Sequence, residues 1–187
     1  MPLVIEVEVK AGVNDFDDIK VKLNEIGAKK AKKEYQEDIY FNNPKLRDFE
    51  KTDEALRIRT TITDGKKSII LTYKGAKMDP ISKTRKEIES EVKESKNMGL
   101  ILENLGFKPV ETIKKNRTTY LYKEFIITLD KVYKVGNFVE IEKEASEGED
   151  FKDTLNKIFK IYKKLGIEEG FERRSYLELL GIYNAGS

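Results

Sequence analysis

The feature that most constrains this chain is an alternation of apolar and charged residues with period two, repeated in segment after segment. Leu3, Ile5, Val7 and Val9 point one way while Glu6, Glu8 and Lys10 point the other, as in a strand with one face against a core. Residues 55–63 set Leu56 and Ile58 against Arg57 and Arg59, and Asp64-Gly65 supplies a two-residue hairpin turn. The chain returns over 68–74, and 84–92 then sets Arg85, Glu87 and Glu89 against Lys86, Ile88 and Val92. Four further strands are predicted over 35–41, 110–122, 125–132 and 137–145, for eight in all.

Helical spacing interrupts this pattern in a few places. Asn14 or Asp15 caps a predicted helix carrying Phe16, Ile19, Leu23 and Ile26, which Gly27 closes. A short helix over 95–105 carries Met98, Ile101, Leu102 and Leu105. A longer one opens at Asp150 and places Phe151, Leu155, Ile158, Phe159, Tyr162 and Leu165 on one face. A last helix is expected over 171–180. Residues 29–34 read as a charged connection and 42–53 as a polar loop. The order β-α-β-β-β-β-α-β-β-β-α-α is not the alternation of a parallel sheet. Residues 1–187 read as one α+β domain: an eight-stranded antiparallel β-barrel with flanking helices.

The polar faces carry the functional information. They hold seven cations (Lys10, Arg57, Arg59, Lys74, Arg85, Lys115, Arg117) and seven acids (Glu6, Glu8, Glu87, Glu89, Asp130, Glu140, Glu142). On one strand this would be an exposed face laced with weak ion pairs. Repeated on nearly every strand, opposite apolar faces that helices can cover, it points to a sheet curled with its charges inward. Inward charges are tolerated only when paired or bound to something charged. A polyphosphate with its metal ions satisfies both signs, because arginines and lysines hold phosphate oxygens while carboxylates hold the metal.

Composition narrows the chemistry further. The chain has neither cysteine nor histidine, which excludes thiolate and imidazole chemistry and leaves Mg²⁺ or Mn²⁺ on carboxylates as the expected metal. Its 36 basic and 34 acidic side chains leave a net charge of +2, little footing for a nucleic-acid partner. No phosphate-cradling P-loop is present. No apolar run is long enough for a membrane span, and acids interrupt the N-terminal segment where a signal peptide is apolar, so a cytoplasmic location is expected.

These residues resemble a known family. Glu6, Glu8 and Lys10 form E-x-E-x-K. It is followed in order by DIYF at Asp38, ALRIR at Ala55, LTYKG at Leu71, TRKEIE at Thr84, KKNRTTY at Lys114, TLDKV at Thr128, GNFVEIE at Gly136 and SYLELL at Ser175. The series is similar to the CYTH superfamily of class IV adenylate cyclases and thiamine triphosphatases, the triphosphate tunnel metalloenzymes. The resemblance implies an eight-stranded tunnel in which Glu6, Glu8, Glu140 and Glu142 ligate metal, with Glu87, Glu89 and Asp130 near a second ion. It implies that Arg57, Arg59, Lys74, Arg85 and Arg117 grip phosphates, supported by Lys10 and Lys115. Tyr40 with Lys74 is similar to a pair that activates water, and Lys10 joins them as a catalytic candidate.

Two reactions suit such a site. A triphosphatase would hydrolyse tripolyphosphate, ATP or thiamine triphosphate; a class IV adenylate cyclase would convert ATP to cyclic AMP and pyrophosphate. Cyclisation needs an adenine pocket that no motif here announces, so hydrolysis is the expected reaction. An RNA 5′-triphosphatase and a non-catalytic polyphosphate- or nucleotide-binding module are the further alternatives, and a homodimer is left open. Phe16, Phe107, Phe159 and Tyr162 are expected in the core, and Tyr176 in a closing helix or lid.

Overall fold

The computed structural model describes residues 4–145 and 151–184. Eight strands run in chain order: β1 (Val4–Val13), β2 (Lys29–Asn42), β3 (Ala55–Thr63), β4 (Lys66–Lys74), β5 (Arg85–Glu91), β6 (Lys108–Tyr122), β7 (Phe125–Val132) and β8 (Gly136–Ala145). They close into an antiparallel barrel in the order β1-β5-β4-β3-β2-β6-β7-β8, with β8 returning to β1. The expected eight-stranded architecture is therefore the observed one. Asp64 and Gly65 turn the β3–β4 hairpin at φ of 49° and 75°, the double left-handed geometry that matches strand twist.

Helices cover the outside as the alternation requires. Helix α1 (Asp17–Glu25) and helix α4 (Phe151–Lys164) bury Ile19, Leu23, Leu155, Ile158 and Tyr162 against Ile5, Val7, Val9, Ile127, Val139 and Ile141. Tyr162 is fully buried, and its hydroxyl donates to the carbonyls of Val9 and Val139, so burying the phenol leaves no polar group unpaired. Helix α3 (Ser95–Asn104) presses Leu102 onto Phe41, Leu56, Ile58 and Ile69 over the opposite wall. Among the described residues no helix is long and apolar enough to cross a membrane.

A third apolar cluster closes one mouth. Ile113, Val132 and Phe138, with Tyr40 beside them, pack against Tyr176, Leu177, Leu179, Leu180 and Tyr183 of the C-terminal segment. Ile113 and Phe138 share the inward parity of Lys115 and Glu140, so this segment acts as a plug.

Several local expectations change. Residues 29–34 are not a connection: they begin the 14-residue strand β2 and pair with β6 from Lys29↔Leu121 onward. Lys29 to Lys33 are exposed, so no apolar alternation marks them, and ladder pairing alone makes them a strand. The 42–53 loop contains a one-turn helix, α2 (Phe49–Thr52), pinned by Phe49 in the second cluster. The expected 171–180 helix shrinks to α5 (Tyr176–Leu179). Residues before it bond to β1 instead: Gly12 N–H donates to the Gly170 carbonyl at 2.9 Å and Glu172 N–H to the Lys10 carbonyl at 2.8 Å. The helix starts where Ser175 and Glu178 form a reciprocal capping box. Leu3 and Asp150 lie outside the described residues.

Candidate active site

The inward faces enclose a cavity of about 660 Å³. Twelve of the fourteen ions expected on this face line it, the exceptions being Lys10 and Asp130; Lys83 and Glu144 also line it. Lys10 and Asp130 are 1% and 0% exposed and lie behind the lining rather than on it.

Register assembles one acidic wall. In the β1–β8 ladder Glu8 faces Glu142 and Lys10 faces Glu140, and Glu6 lies one inward position along. Glu6, Glu8 and Glu142 bring carboxylate oxygens within 4.8 Å of one another. Burial first, and then the neighbouring Glu6 and Glu8, push the Glu142 carboxyl up to about 8. Burial likewise raises Glu6 against the opposing pull of Lys74. Three crowded oxygen donors, two of them held back from ionising, are a site that a hard divalent cation relieves, and oxygen-only donors fit Mg²⁺ or Mn²⁺. Glu140 stands beside this group but is engaged elsewhere: Arg117 reaches it at 2.6 Å and the Tyr176 hydroxyl at 3.0 Å.

The remaining wall is cationic, and each cation is braced by an acid. Asp38 receives Arg59 through two bonds of 2.7 Å and Arg57 at 3.5 Å. Burial alone would raise the Asp38 carboxyl, but Arg59 and Arg57 outweigh it and hold it well below the usual range. Asp130 takes Lys115 at 2.7 Å and Arg117 at 2.7 and 2.6 Å. Both of its oxygens are thus occupied, and in this geometry Asp130 braces cations instead of facing a second ion. Arg85 donates to the Asp53 backbone carbonyl at 3.3 Å and lies 3.7 Å from the Asp53 carboxylate. Lys74 sits between Glu87, which it bonds closely, and Glu6 at 3.3 Å. Glu89 is exposed and accepts from Thr72 at 2.8 Å, at the rim.

The candidate catalytic residues divide. Tyr40 and Lys74 both line the cavity. Lys10 points toward the plug: its ammonium donates to the Arg174 carbonyl at 2.6 Å and lies 4.3 Å over the Tyr176 ring. Burial first, then the positive charge of Lys83, lowers Lys10 to about 7. Burial and Arg117 lower Lys115 to about 8. Among the described residues, Arg57 Nε, Gln36 Oε1 and Thr128 Oγ1 are buried without hydrogen-bond partners, atoms whose burial is compensated only when something polar reaches them.

Three participants are not apparent from the alternation. Asp38 lies inside DIYF, but only the β2–β3 register sets it opposite Arg59 and makes it an inward ion. Lys83 lies in a loop, although it shares the parity of Arg85 and Glu87. Tyr176 is 7% exposed with its hydroxyl on Glu140, which makes it both plug and lining.

A closed antiparallel barrel whose bore sets a carboxylate triad against braced arginines and lysines defines the class, and the chain belongs to the CYTH domain family, whose model matches residues 4–176. Similar proteins occur in archaea and beyond. A Methanocaldococcus jannaschii protein named provisionally as an adenylate cyclase is 42% identical over 180 residues, 96% of this chain and 100% of that protein. The solved structure of the PH1819 protein from Pyrococcus horikoshii is 46% identical, covers 94% of this chain and 97% of its own, and superposes with a TM-score of 0.86. A provisionally named adenylyl cyclase from Hippeastrum, reported with a dominant triphosphatase activity, shares the fold at 18% identity, 95% coverage of both chains and a TM-score of 0.67.

Proposed function

We propose that this chain is a metal-dependent triphosphatase of the cytoplasm, hydrolysing tripolyphosphate or a small organic triphosphate in the barrel. The observation that carries this reading is the facing of the Glu6–Glu8–Glu142 triad and the braced cations across one closed bore. Arg57, Arg59, Arg85 and Lys74 would hold phosphate oxygens from one side, with Lys115 and Arg117 deeper. Their acid partners fix each guanidinium before the ligand arrives, so little reorganisation is left for binding. Glu6, Glu8 and Glu142 would hold Mg²⁺ or Mn²⁺, which when bound supplies charge neutralisation and a more acidic water. Hydrolysis forms a bond from water oxygen to the terminal phosphorus and breaks the bridging P–O bond, so tripolyphosphate gives orthophosphate and pyrophosphate. Tyr40 and Lys74 are the candidates to orient the water. We assign Lys10 to holding the plug against β1 instead of touching phosphate.

Hydrolysis is favoured over cyclisation because the cavity, among the described residues, offers no free aromatic surface for a base. Its two aromatic lining residues are Tyr40, packed in the plug cluster, and Tyr176, bonded to Glu140. The Hippeastrum protein illustrates that this fold accommodates a dominant triphosphatase activity. Class IV adenylate cyclase is the second reading, supported by the provisional name of the Methanocaldococcus relative. A pure binding module would have no use for the crowded triad.

The test supplies purified protein and Mg²⁺ or Mn²⁺ with tripolyphosphate, ATP or thiamine triphosphate, and quantifies orthophosphate, pyrophosphate and cyclic AMP. Orthophosphate from tripolyphosphate, lost in Glu6→Gln with the fold intact, is the expected result. Cyclic AMP with equimolar pyrophosphate would replace this reading by the second. Tight triphosphate binding without turnover would reduce the protein to a receptor.

A further inference from the structure

The ten residues from Gly75 to Thr84 join β4 to β5, and their backbone is tied down at several points. Asp79 Oδ1 accepts from the Ile81 and Ser82 N–H groups, each at 2.7 Å. The Arg173 guanidinium bonds the Asp79 carbonyl at 2.9 Å and the Ser82 carbonyl at 3.2 Å. The Lys83 N–H donates to the Glu8 carbonyl at 2.9 Å. The Lys83 side chain extends from this anchored point into the bore, its Nζ 2.5 Å from Glu8 Oε1 and 3.7 Å from Glu140 Oε1.

Glu8 is thereby claimed twice. It is one of three carboxylates close enough to share a divalent cation, and its oxygen already carries an ammonium. A divalent cation on Glu8 would stand a few ångströms from a like charge in a poorly screened interior, a strongly unfavourable arrangement. Glu140 does not depend on Lys83 for pairing, since Arg117 and Tyr176 also hold it. Lysine has a flexible four-carbon stem, so its ammonium can swing several ångströms while the anchored backbone stays in place. The space it can enter is the cavity that it lines, where phosphate would lie.

We propose that Lys83 is an exchangeable counter-ion: it neutralises Glu8 until a divalent cation takes that carboxylate, and its charge then passes to a phosphate oxygen of the substrate. This rests on the triphosphate-and-metal reading above and gives that site a built-in coupling. Metal alone must displace an ion pair, whereas metal with triphosphate displaces it into a new one. Each ligand therefore tightens the other, and by linkage the factor is the same in both directions.

The test measures Mn²⁺ binding by electron paramagnetic resonance on the full chain. It is run with and without a bis(methylene) analogue of tripolyphosphate, whose P–C bonds are not hydrolysed, correcting for Mn²⁺ held by the analogue in solution. Wild type, Lys83→Met, Lys83→Gln and Lys115→Gln are compared, with thermal denaturation as the check on folding. Both Lys83 variants are expected to bind Mn²⁺ alone about tenfold more tightly and to lose about tenfold of the coupling to the analogue, within the usual range of coupling factors. Lys115→Gln removes the same charge beside Asp130, and is expected to leave Mn²⁺ affinity nearly unchanged while weakening the analogue. Folded Lys83 variants with unchanged or weaker Mn²⁺ affinity, or with full coupling, would overturn the exchange. A wild type that binds neither Mn²⁺ nor the analogue would instead sink the underlying functional reading.

Discussion

Glu142→Gln tests the crowding at the triad directly. The wild-type carboxyl sits at about 8 instead of its ordinary 4.5. The folded protein therefore holds a proton that the unfolded chain has released, and stability falls as pH rises through the interval between those values. Below pH 4.5 the penalty vanishes because both states are protonated; above about 8 it is constant. Each unit is about 1.4 kcal/mol, so the ceiling at pH 7 is about 3 kcal/mol. Glu6 and Glu8 relax when Glu142 is neutralised, and the remaining acids are still crowded, so about 1–3 kcal/mol is expected. At roughly 2–4 °C per kcal/mol for a domain of this size, the metal-free variant should melt roughly 3–10 °C higher at pH 7 and show almost no gain at pH 4. Saturating Mn²⁺ should reverse the order, because ligand binding stabilises only the protein that retains the site. The assay is thermal or guanidinium denaturation at both pH values in chelator and in Mn²⁺. A metal-free variant less stable than wild type at pH 7 would refute the crowding argument.

Two further substitutions probe the braces. Asp38→Ala leaves the buried Arg57 and the half-buried Arg59 without their shared carboxylate and should cost about 3–5 kcal/mol, as for other broken buried pairs; a guanidinium midpoint equal to wild type would show that the carboxylate does not hold them. Tyr176→Phe removes the hydroxyl from Glu140 but keeps the ring over Lys10, so it should cost only about 1 kcal/mol, whereas Tyr176→Ala should cost at least about 3 kcal/mol; equal losses in chemical denaturation would contradict this division.

Much of the site is legible in the amino-acid sequence. A side chain's face in a strand is decided by parity, a local property, so spacing alone assigns Glu6, Glu8, Arg57, Arg59, Lys74, Arg85, Glu87, Lys115, Arg117, Glu140 and Glu142 to an inner face. Missing cysteine and histidine likewise reduce the metal question to oxygen donors. Strands with one buried face announce themselves by alternation; residues 29–33, exposed along their length, carry no such signal.

Parity says which way a residue points but not what stands opposite it. The β1–β8 register sets Glu8 against Glu142 and makes a triad of acids from two distant segments. The β2–β3 register sets Asp38 between two arginines, and the β6–β7 register closes Asp130 behind Lys115 and Arg117. Lys83 enters from a loop, and the C-terminal segment forgoes much of its helix to bond along β1 and plug the bore. The ion set and the barrel thus follow from local information, because alternation and composition are properties of neighbouring residues. Which charges serve as braces and which remain for a ligand follows from the folded arrangement, because ion pairing is settled by contacts between residues far apart in the chain.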